Sequence, residues 1–319
     1  MTTMIWGSNG FFGINTARCL ADRGEEVILV NRHPMQVPPL LATHWGKQVR
    51  QTTGDMLNLA IVLHLIKKYK ADSLIHAGHS TAGTGHGREF EEPLNSLLRT
   101  QIEGAINLYE AAKLVELRRV TFVSSMAVYY GWPHPCEVLN EDAFLPPLPD
   151  APHSAEISTT KRAAEQIGFL YSKSYGISFA AIRTGVNYGV KCFGEINKIV
   201  ENAIEGKPTD LSAMANSARF DTVNAKDTGE LTSTVHLAKS LKNYIYNICD
   251  GTHPTLQEIV DTIKEFFPKA EIKLGPSSEK PKIPLPHEIN RIKAEFGYVP
   301  MTLKQGIEHY ANYIKTGRY

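Results

Sequence analysis

The feature that most constrains the fold is a glycine-rich turn that directly follows a short apolar stretch. Thr2 to Trp6 has the composition of a short buried strand, and Gly10 to Arg23 has the apolar spacing of a helix. Glycines between them let the backbone turn tightly and approach a pyrophosphate, whose charge the helix N-terminus stabilises. A strand, a turn and a helix in this order predict a dinucleotide-binding βαβ unit. The turn consists of Gly7, Ser8, Asn9, Gly10, Phe11, Phe12 and Gly13.

Alternating strand-like and helix-like segments continue through the first half of the chain. Val27 to Val30 and Val120 to Ser124 are largely apolar runs, which are typical of strands buried on both faces. Helical spacing recurs over Pro93 to Leu117 and Ser158 to Tyr175. The alternation predicts an α/β fold with a Rossmann-type, doubly wound parallel sheet over residues 1–184.

The regular alternation ends after about Gly185. Short strand candidates there mix with helices at Gln257 to Phe267 and Leu303 to Ile314. We expect residues 185–319 to form a smaller, mixed α/β lobe that faces the substrate, with some of the chain crossing back to the first domain. The proline-rich stretch from Gly275 to Pro286 predicts an exposed connector.

Composition limits the partners that the chain can have. Of the 319 residues, 42% are apolar, and the net charge is +1, so neither disorder nor nucleic-acid binding is indicated. No apolar run approaches the ~20 residues that span a bilayer, and the opening strand leaves no room for a signal peptide. Four scattered cysteines predict neither a disulfide framework nor a zinc site. We therefore expect a cytoplasmic protein without a membrane or nucleic-acid partner. The cysteines are Cys19, Cys136, Cys192 and Cys249.

The end of the second strand selects the cofactor in folds of this type. An acidic residue there favours NAD and an arginine favours NADP. This chain has Asn31 and Arg32, which favours NADP(H) over NAD(H). The alternative is that Arg32 is a solvated surface charge. Asp55, followed by Met56, could accept a hydrogen bond from the adenine amino group or could cap a helix.

Five segments together resemble the extended short-chain dehydrogenase/reductases, the NAD-dependent epimerase/dehydratase group. The turn has the spacing G-x-x-G-x-x-G. The other four segments resemble a strand, a long helix, a serine segment and a lysine segment of that family. They are Leu74 to Gly78, Gly104 to Ala111, Ser124 to Tyr129 and Lys161 to Glu165.

The resemblance implies a role for each matching residue. Ser125 would hydrogen-bond a substrate oxygen, and Lys161 would bind the nicotinamide ribose and lower the pKa of a neighbouring tyrosine. That tyrosine lies four positions before the lysine in the family, where this chain has Ile157. Isoleucine cannot donate or accept a proton, and the loss of a positioned acid–base group typically costs ~10² to 10⁴ in rate. The strand end that would lie beside the nicotinamide consists of His76, Ala77 and Gly78.

A substitute proton donor could come from the long loop expected between Met126 and Glu156. Tyr130 and His153 are the leading candidates, since Tyr130 follows the serine segment directly. For either residue taken singly, a solvated loop position is the favoured interpretation. The further candidates are His134, Glu137 and Glu156. His76, His79 and His86 do not have a recognised metal-ligand spacing, so we predict no metal.

Three functions remain open on the sequence. The first is a reductase, epimerase or dehydratase that acts on a small hydroxy or keto substrate with a relocated proton donor. The second is a lyase or isomerase without net redox chemistry, and the third is a protein that senses the dinucleotide without catalysis. Val186 replaces a family asparagine, so a sugar-nucleotide substrate is not indicated. By resemblance, the helices at Pro93 to Leu117 and Ser158 to Tyr175 could form a homodimer.

Overall fold

The computed structural model of this chain describes residues 1–78, 94–131, 137–148, 152–277 and 285–319. In these ranges the strands are β1 (Thr2–Trp6), β2 (Glu26–Asn31), β3 (Val49–Thr53), β4 (Ser73–His76), β5 (Arg119–Ser125), β6 (Phe179–Thr184), β7 (Val186–Tyr188), β8 (Thr209–Ala215), β9 (Thr222–Asn224), β10 (Ile245–Ile248) and β11 (Ile272–Gly275).

The helices of the described residues follow the strands in the order that the alternating pattern predicts. They are α1 (Phe11–Asp22), α2 (Leu59–Tyr69), α3 (Leu94–Leu98), α4 (Gly104–Leu114), α5 (Pro152–Tyr175), α6 (Glu195–Glu205), α7 (Ala225–Leu237), α8 (Leu256–Phe266), α9 (Asn290–Phe296) and α10 (Leu303–Thr316). A π-helical turn, Arg99–Glu103, joins α3 to α4.

Seven of the described strands form one parallel sheet, in the order β3-β2-β1-β4-β5-β6-β10. This is the doubly wound arrangement, and the strand order reverses between β1 and β4. Ligands bind outside the carboxyl ends of the strands at such a point. The predicted α/β, Rossmann-type fold is therefore confirmed.

Apolar cores lie on the two faces of the sheet. One contains Val62, Leu108 and Ala164 from α2, α4 and α5. The second core includes Ile14 of α1 and Ile307 of α10. The sheet is thus covered on both faces, which holds the carboxyl ends of β1, β4 and β5 in a fixed arrangement.

The region after β6 is not separate from the large sheet, because some of its elements pack against or extend that sheet. The short strands β7 and β9 pair with each other, as do β8 and β11, and β10 extends the large sheet beside β6. Helix α7 packs against α1. The chain therefore crosses back to the first unit through α7 and β10.

Helix α5 begins at Pro152, six residues before the predicted start at Ser158. Proline is favourable at the first helical position because its missing N–H would have no helical partner there. The expected loop to Glu156 is therefore shorter than the sequence indicated. His153 and Glu156 lie in the first turns of α5.

Candidate functional site

The glycine turn lies between the end of β1 and the start of α1, as predicted. Gly7 has a φ of +77°, and a Cβ at this position would lie 2.2 Å from the Cα of Gly78. Only glycine allows the turn to approach the segment after β4 so closely. Gly13 is buried in the first turn of α1, against the backbone of Ser8.

Asn31, at the end of β2, holds this turn in place. Its Oδ1 accepts a hydrogen bond from the Asn9 N–H at 2.9 Å, and its Nδ2 donates to the Ser8 Oγ at 2.9 Å. Ser8 is wholly buried. The amide of Asn31 therefore organises the turn with both of its polar atoms, a role that the sequence did not reveal.

Gly10 leaves the N-terminus of α1 open to a ligand. A Cβ built on Gly10 would meet no protein atom within 4 Å. No side chain caps the helix at Gly10, and its first turn contains no acidic residue. Backbone N–H groups at a helix N-terminus suit a phosphate, so the turn fits the diphosphate of a dinucleotide.

The residues expected near the adenosine lie at the ends of β2 and β3. Arg32 and Asp55 are exposed. The Asp55 carboxylate accepts the Leu57 N–H at 2.9 Å, while Asn58 caps α2. Asp55 therefore belongs to a turn and not to the helix cap considered from the sequence. Met56 packs against the backbone at Gly104, where an added Cβ would lie 2.6 Å from its Sδ.

A cleft of about 300 Å³ opens beside the glycine turn. Its lining brings together the turn, the end of β5, helix α5 and the segment from β6 to α6. The described lining residues are Phe11, Phe12, Ala77, Val123, Ser124, Ser125, Ile157, Lys161, Thr184, Gly185, Val186, Asn187, Phe193, Gly194, Glu195, Ile196 and Asn197. Ser125 and Lys161 thus line the same cleft.

Lys161 lies in the cleft wall with its side chain almost entirely buried. Its Nζ donates a hydrogen bond to the Val123 carbonyl at 2.9 Å and lies 4.9 Å from the centre of the Phe122 ring. Burial lowers the pKa of Lys161 to about 8, although the nearby Glu165 carboxylate partly opposes this shift. The Glu165 carboxylate itself binds the Arg183 guanidinium at 2.6 Å.

Two serines end β5 at the cleft. The Ser125 Oγ accepts the Ala127 N–H at 3.1 Å, which leaves its hydroxyl proton for another acceptor. The Ser124 Oγ is buried and has no hydrogen-bond partner among the described residues. Ser124 was not singled out by the sequence analysis, although its position beside Ser125 was the available signal.

Ile157 occupies the position that the resemblance gives to a tyrosine, and it lines the cleft one helical turn before Lys161. Tyr130 does not line the cleft; burial raises the pKa of its phenol to about 12, and the Asp221 carboxylate adds to this shift. Glu137 is exposed. The side chain of His153 lies outside the described residues, as do His79, His86, His134 and Cys136.

His76, at the end of β4, is wholly buried, and neither ring nitrogen has a hydrogen-bond partner among the described residues. Burial lowers its pKa to about 3, and the charge of Lys161 contributes to this shift. His76 therefore lies beneath the site as a neutral imidazole, 5.0 Å from the Phe122 ring centre.

The far part of the cleft comes from residues that the sequence analysis did not identify. The segment between β7 and α6 contributes Phe193, and α6 contributes its first residue, Glu195. Asn197 fixes this segment, since its Nδ2 donates to the Gly189 carbonyl and its Oδ1 accepts the Gly189 N–H. None of these residues belongs to a segment that resembles the family, so only the three-dimensional fold brings them to the cleft.

Metal-binding clusters and membrane-spanning helices are both absent from the described residues. In the ranges given above, no group of three or more His, Cys, Asp or Glu side chains could hold a metal ion. The same residues include no helix whose length and apolar character would let it cross a membrane.

Curated relatives are similar to this chain at moderate identity. A trifunctional UDP-glucose 4,6-dehydratase/UDP-4-keto-6-deoxy-D-glucose 3,5-epimerase/UDP-4-keto-L-rhamnose-reductase of Arabidopsis thaliana is 28% identical over 67% of the chain, which spans only 31% of that protein. An uncharacterized protein of Methanocaldococcus jannaschii is 22% identical over 97% of the chain and 95% of its own length.

A solved structure and a family model complete the comparison. The structure of dTDP-glucose 4,6-dehydratase from Bacillus anthracis in complex with NAD has a TM-score of 0.81 at 19% identity, over 100% of this chain and 97% of that one. This likeness shows a shared fold. The model of the NAD dependent epimerase/dehydratase family matches residues 3–249. This match covers more than half of the sequence and includes the glycine turn, Ser125 and Lys161, so the chain belongs to the NAD dependent epimerase/dehydratase family.

Proposed function

We propose that this protein is a nicotinamide-dependent enzyme that interconverts a hydroxyl and a keto group on a small substrate, as part of a reduction, an epimerisation or a dehydration. The observation that carries the proposal is the convergence of Ser125, Lys161 and the open N-terminus of α1 around one cleft. Family membership supports the same conclusion.

The dinucleotide would be held mainly by backbone. The N–H groups at Gly10 and the first turn of α1 face the space in which a diphosphate fits. Ala77 and Gly78 adjoin the turn at the end of β4, and Lys161 is the lysine that the family uses for the nicotinamide ribose. When bound, the cofactor exchanges a hydride with the substrate.

Two polar groups of the chain can act on the substrate oxygen. The Ser125 hydroxyl is oriented by the Ala127 N–H and can donate a hydrogen bond to that oxygen. The Lys161 Nζ supplies positive charge from within a largely apolar wall, where an electrostatic interaction is stronger than in water. Ile157, which lines the same cleft, offers no proton.

The lining of the cleft favours a small substrate that carries no phosphate. Among the described lining residues Lys161 is the basic side chain, and Glu195 contributes a carboxylate from α6. Val186 is apolar. Diphosphate groups normally need arginine or lysine partners, so we propose a hydroxy or keto compound, bound partly by the lobe of residues 185–319.

A sugar nucleotide is the second candidate substrate. It is favoured by the curated relatives whose names include UDP-sugar dehydratase and epimerase activities. This chain spans only 31% of the first of these relatives. The combined activities of that longer protein therefore do not define the activity of this chain.

The preference for NADP(H) over NAD(H) rests on Arg32. This residue is exposed at the end of β2, where a 2′-phosphate would be recognised. Asn31 beside it uses both polar atoms of its amide on the glycine turn and carries no charge that would repel a phosphate. The Bacillus anthracis neighbour was solved with NAD, so the two cofactors must be compared directly.

Turnover tests the proposal. Purified protein is incubated with each oxidised and reduced nicotinamide cofactor and with two substrate panels, one of small hydroxy and keto compounds and one of UDP- and dTDP-sugars. Products are analysed by mass spectrometry and by the absorbance of the reduced nicotinamide. We expect product with the first panel. Product with the second panel alone would replace the proposed substrate, and binding without any product would contradict an enzymatic function.

Ile157 also favours a second candidate function, a protein that senses the dinucleotide without catalysis. The apolar side chain removes the family's proton donor, while the glycine turn remains intact. A lyase or isomerase without net redox chemistry is consistent with the same substitution. Product formation that persists with a redox-inactive cofactor analogue would identify the lyase or isomerase, and tight binding without product would identify the sensor.

We also propose a homodimer formed through α4 and α5. These helices pack against each other and carry large apolar side chains that are exposed in the single chain. The side chains are Ile106, Leu114, Leu170 and Tyr175. Multi-angle light scattering should give twice the mass of 35.4 kDa, and Leu170→Glu should give the monomer mass.

A further inference from the structure

The Nζ atom of Lys161 has uncharged nearest neighbours. Its Nζ donates to a neutral partner, the Val123 carbonyl, and the Phe122 ring lies 4.9 Å away. Ile157, one helical turn before Lys161 on α5, lines the same cleft. Within the described part of the chain, no carboxylate forms an ion pair with Lys161.

The charged groups around Lys161 come from several elements. Glu165, one turn further along α5, is bound by Arg183 of β6 at 2.6 Å, so most of its negative charge is neutralised. His76 of β4 stays uncharged above pH ~3 because burial lowers its pKa. Glu195 of α6 lines the cleft. The ammonium form of Lys161 is therefore poorly stabilised, and burial lowers its pKa to about 8.

Other described side chains are less suited to proton exchange in this cleft. Tyr130 does not line it, and burial raises the pKa of its phenol to about 12. The Ser125 hydroxyl can pass a proton on but does not hold an extra one near neutral pH. Ile157 has no ionisable group.

We propose that Lys161 is itself the acid–base catalyst of this cleft, in place of a tyrosine that it would otherwise assist. The inference rests on the proposed function. When the substrate alcohol is oxidised, its O–H proton passes to the neutral Nζ amine, which becomes an ammonium, and the C–H bond loses a hydride to the bound cofactor as the C=O bond forms. In reduction the ammonium returns the proton to the carbonyl oxygen.

The protonation state of Lys161 can be measured without turnover. Protein grown with ε-¹³C-lysine is titrated by NMR, and the Lys161 resonance is assigned by its loss in Lys161→Arg. Lys198→Arg, on α6, is the exposed control. We expect one resonance with a midpoint near pH 8, well below the ~10.4 of ordinary lysines. A midpoint above 10 would overturn the proposal.

The pH dependence of turnover then tests the catalytic role. Oxidation needs the neutral amine, so kcat/KM should rise through pH 8, and reduction needs the ammonium, so its kcat/KM should fall there. Lys161→Arg should lower kcat by ~10² to 10⁴ and should abolish the inflection near pH 8 in the pH profile. Its Kd for the dinucleotide, measured by calorimetry, should stay within about tenfold of the wild-type value. If the inflection persists in Lys161→Arg, the acid–base role of Lys161 is refuted, while the proposed function of the protein is not. Binding without turnover of any substrate by wild type would instead refute the proposed function, and with it this role.

Discussion

Ile157 and Lys161 lie one helical turn apart on α5, and both side chains line the same cleft. An apolar residue therefore adjoins a buried amine where the resemblance implies a tyrosine. The side chain at position 157 therefore faces the cleft, but it carries no hydroxyl group.

Ile157→Tyr should supply the acid–base group that the family resemblance places at this position. A phenol beside Lys161 would have its pKa lowered by the ammonium, and we expect kcat for reduction to rise by ~10². Ile157→Phe is the matched control, because it adds the ring without the hydroxyl. Steady-state kinetics of the two variants measure the difference. Equal rates would show that a hydroxyl at this position does not contribute.

The buried ion pair between Glu165 and Arg183 should contribute strongly to stability. Their side chains are 0% and 3% exposed and form a 2.6 Å contact. Removal of one partner leaves a buried charge uncompensated, at a cost of ~3–5 kcal/mol. We expect Glu165→Gln to lower the free energy of unfolding in urea by about this amount. In the exposed pair of Arg99 and Glu103, Glu103→Gln should cost less than ~1 kcal/mol; equal losses would contradict this account.

His76 should make the protein sensitive to acid. Its pKa in the folded protein is about 3, below the ordinary 6.5, so the unfolded chain binds more protons between these values. Stability from His76 is complete above pH ~6.5 and is lost as the pH falls toward 3.

The variant His76→Leu removes this titration. We expect the loss of unfolding free energy between pH 7 and pH 4 to be smaller in the variant than in wild type, by up to about 3 kcal/mol. Urea titrations at the two pH values measure the difference. His33→Leu, at an exposed position, should leave the pH dependence unchanged. Identical losses in wild type and His76→Leu would contradict the burial argument.

Arg32 should set the choice of cofactor. A charge-assisted hydrogen bond to a phosphate is worth ~1.5–3 kcal/mol, so Arg32→Ala should raise the Kd for NADPH about 10- to 100-fold. The Kd for NADH should change less than threefold. Arg50→Ala, on β3 at an exposed position, controls for general charge. Fluorescence titration of the two reduced cofactors gives the comparison, and an equal effect on both would contradict a role in 2′-phosphate recognition.

The elements that could be predicted are those with local signals. The glycine turn, the buried strands and the serine and lysine segments are each encoded within a few neighbouring residues, because strand periodicity and turn chemistry are local properties. Family resemblance then identified Ser125 and Lys161 together. The doubly wound parallel sheet followed from the same alternating pattern, whereas the strand order was not predicted.

The remaining features depend on contacts between distant parts of the chain. Phe193 and Glu195 line the cleft although they lie far along the chain from the glycine turn and Lys161. Asn31 was predicted as a cofactor contact, but the hydrogen bonds by which its amide also holds the glycine turn carry no local sequence signal. The start of α5 at Pro152 was missed because the apolar spacing that indicates a helix becomes regular only after Ser158.

Isothermal titration calorimetry of wild type and Gly10→Ala with NADPH and NADH tests the central claim most directly. The added methyl group meets no protein atom within 4 Å, and Gly10 has a φ of −79° that alanine tolerates, so thermal unfolding should be unchanged. The methyl would occupy the space in which the diphosphate fits, so we expect affinity to fall at least tenfold. Wild-type protein that binds neither cofactor, or a Gly10→Ala variant that binds as tightly as wild type, would contradict dinucleotide binding at this turn.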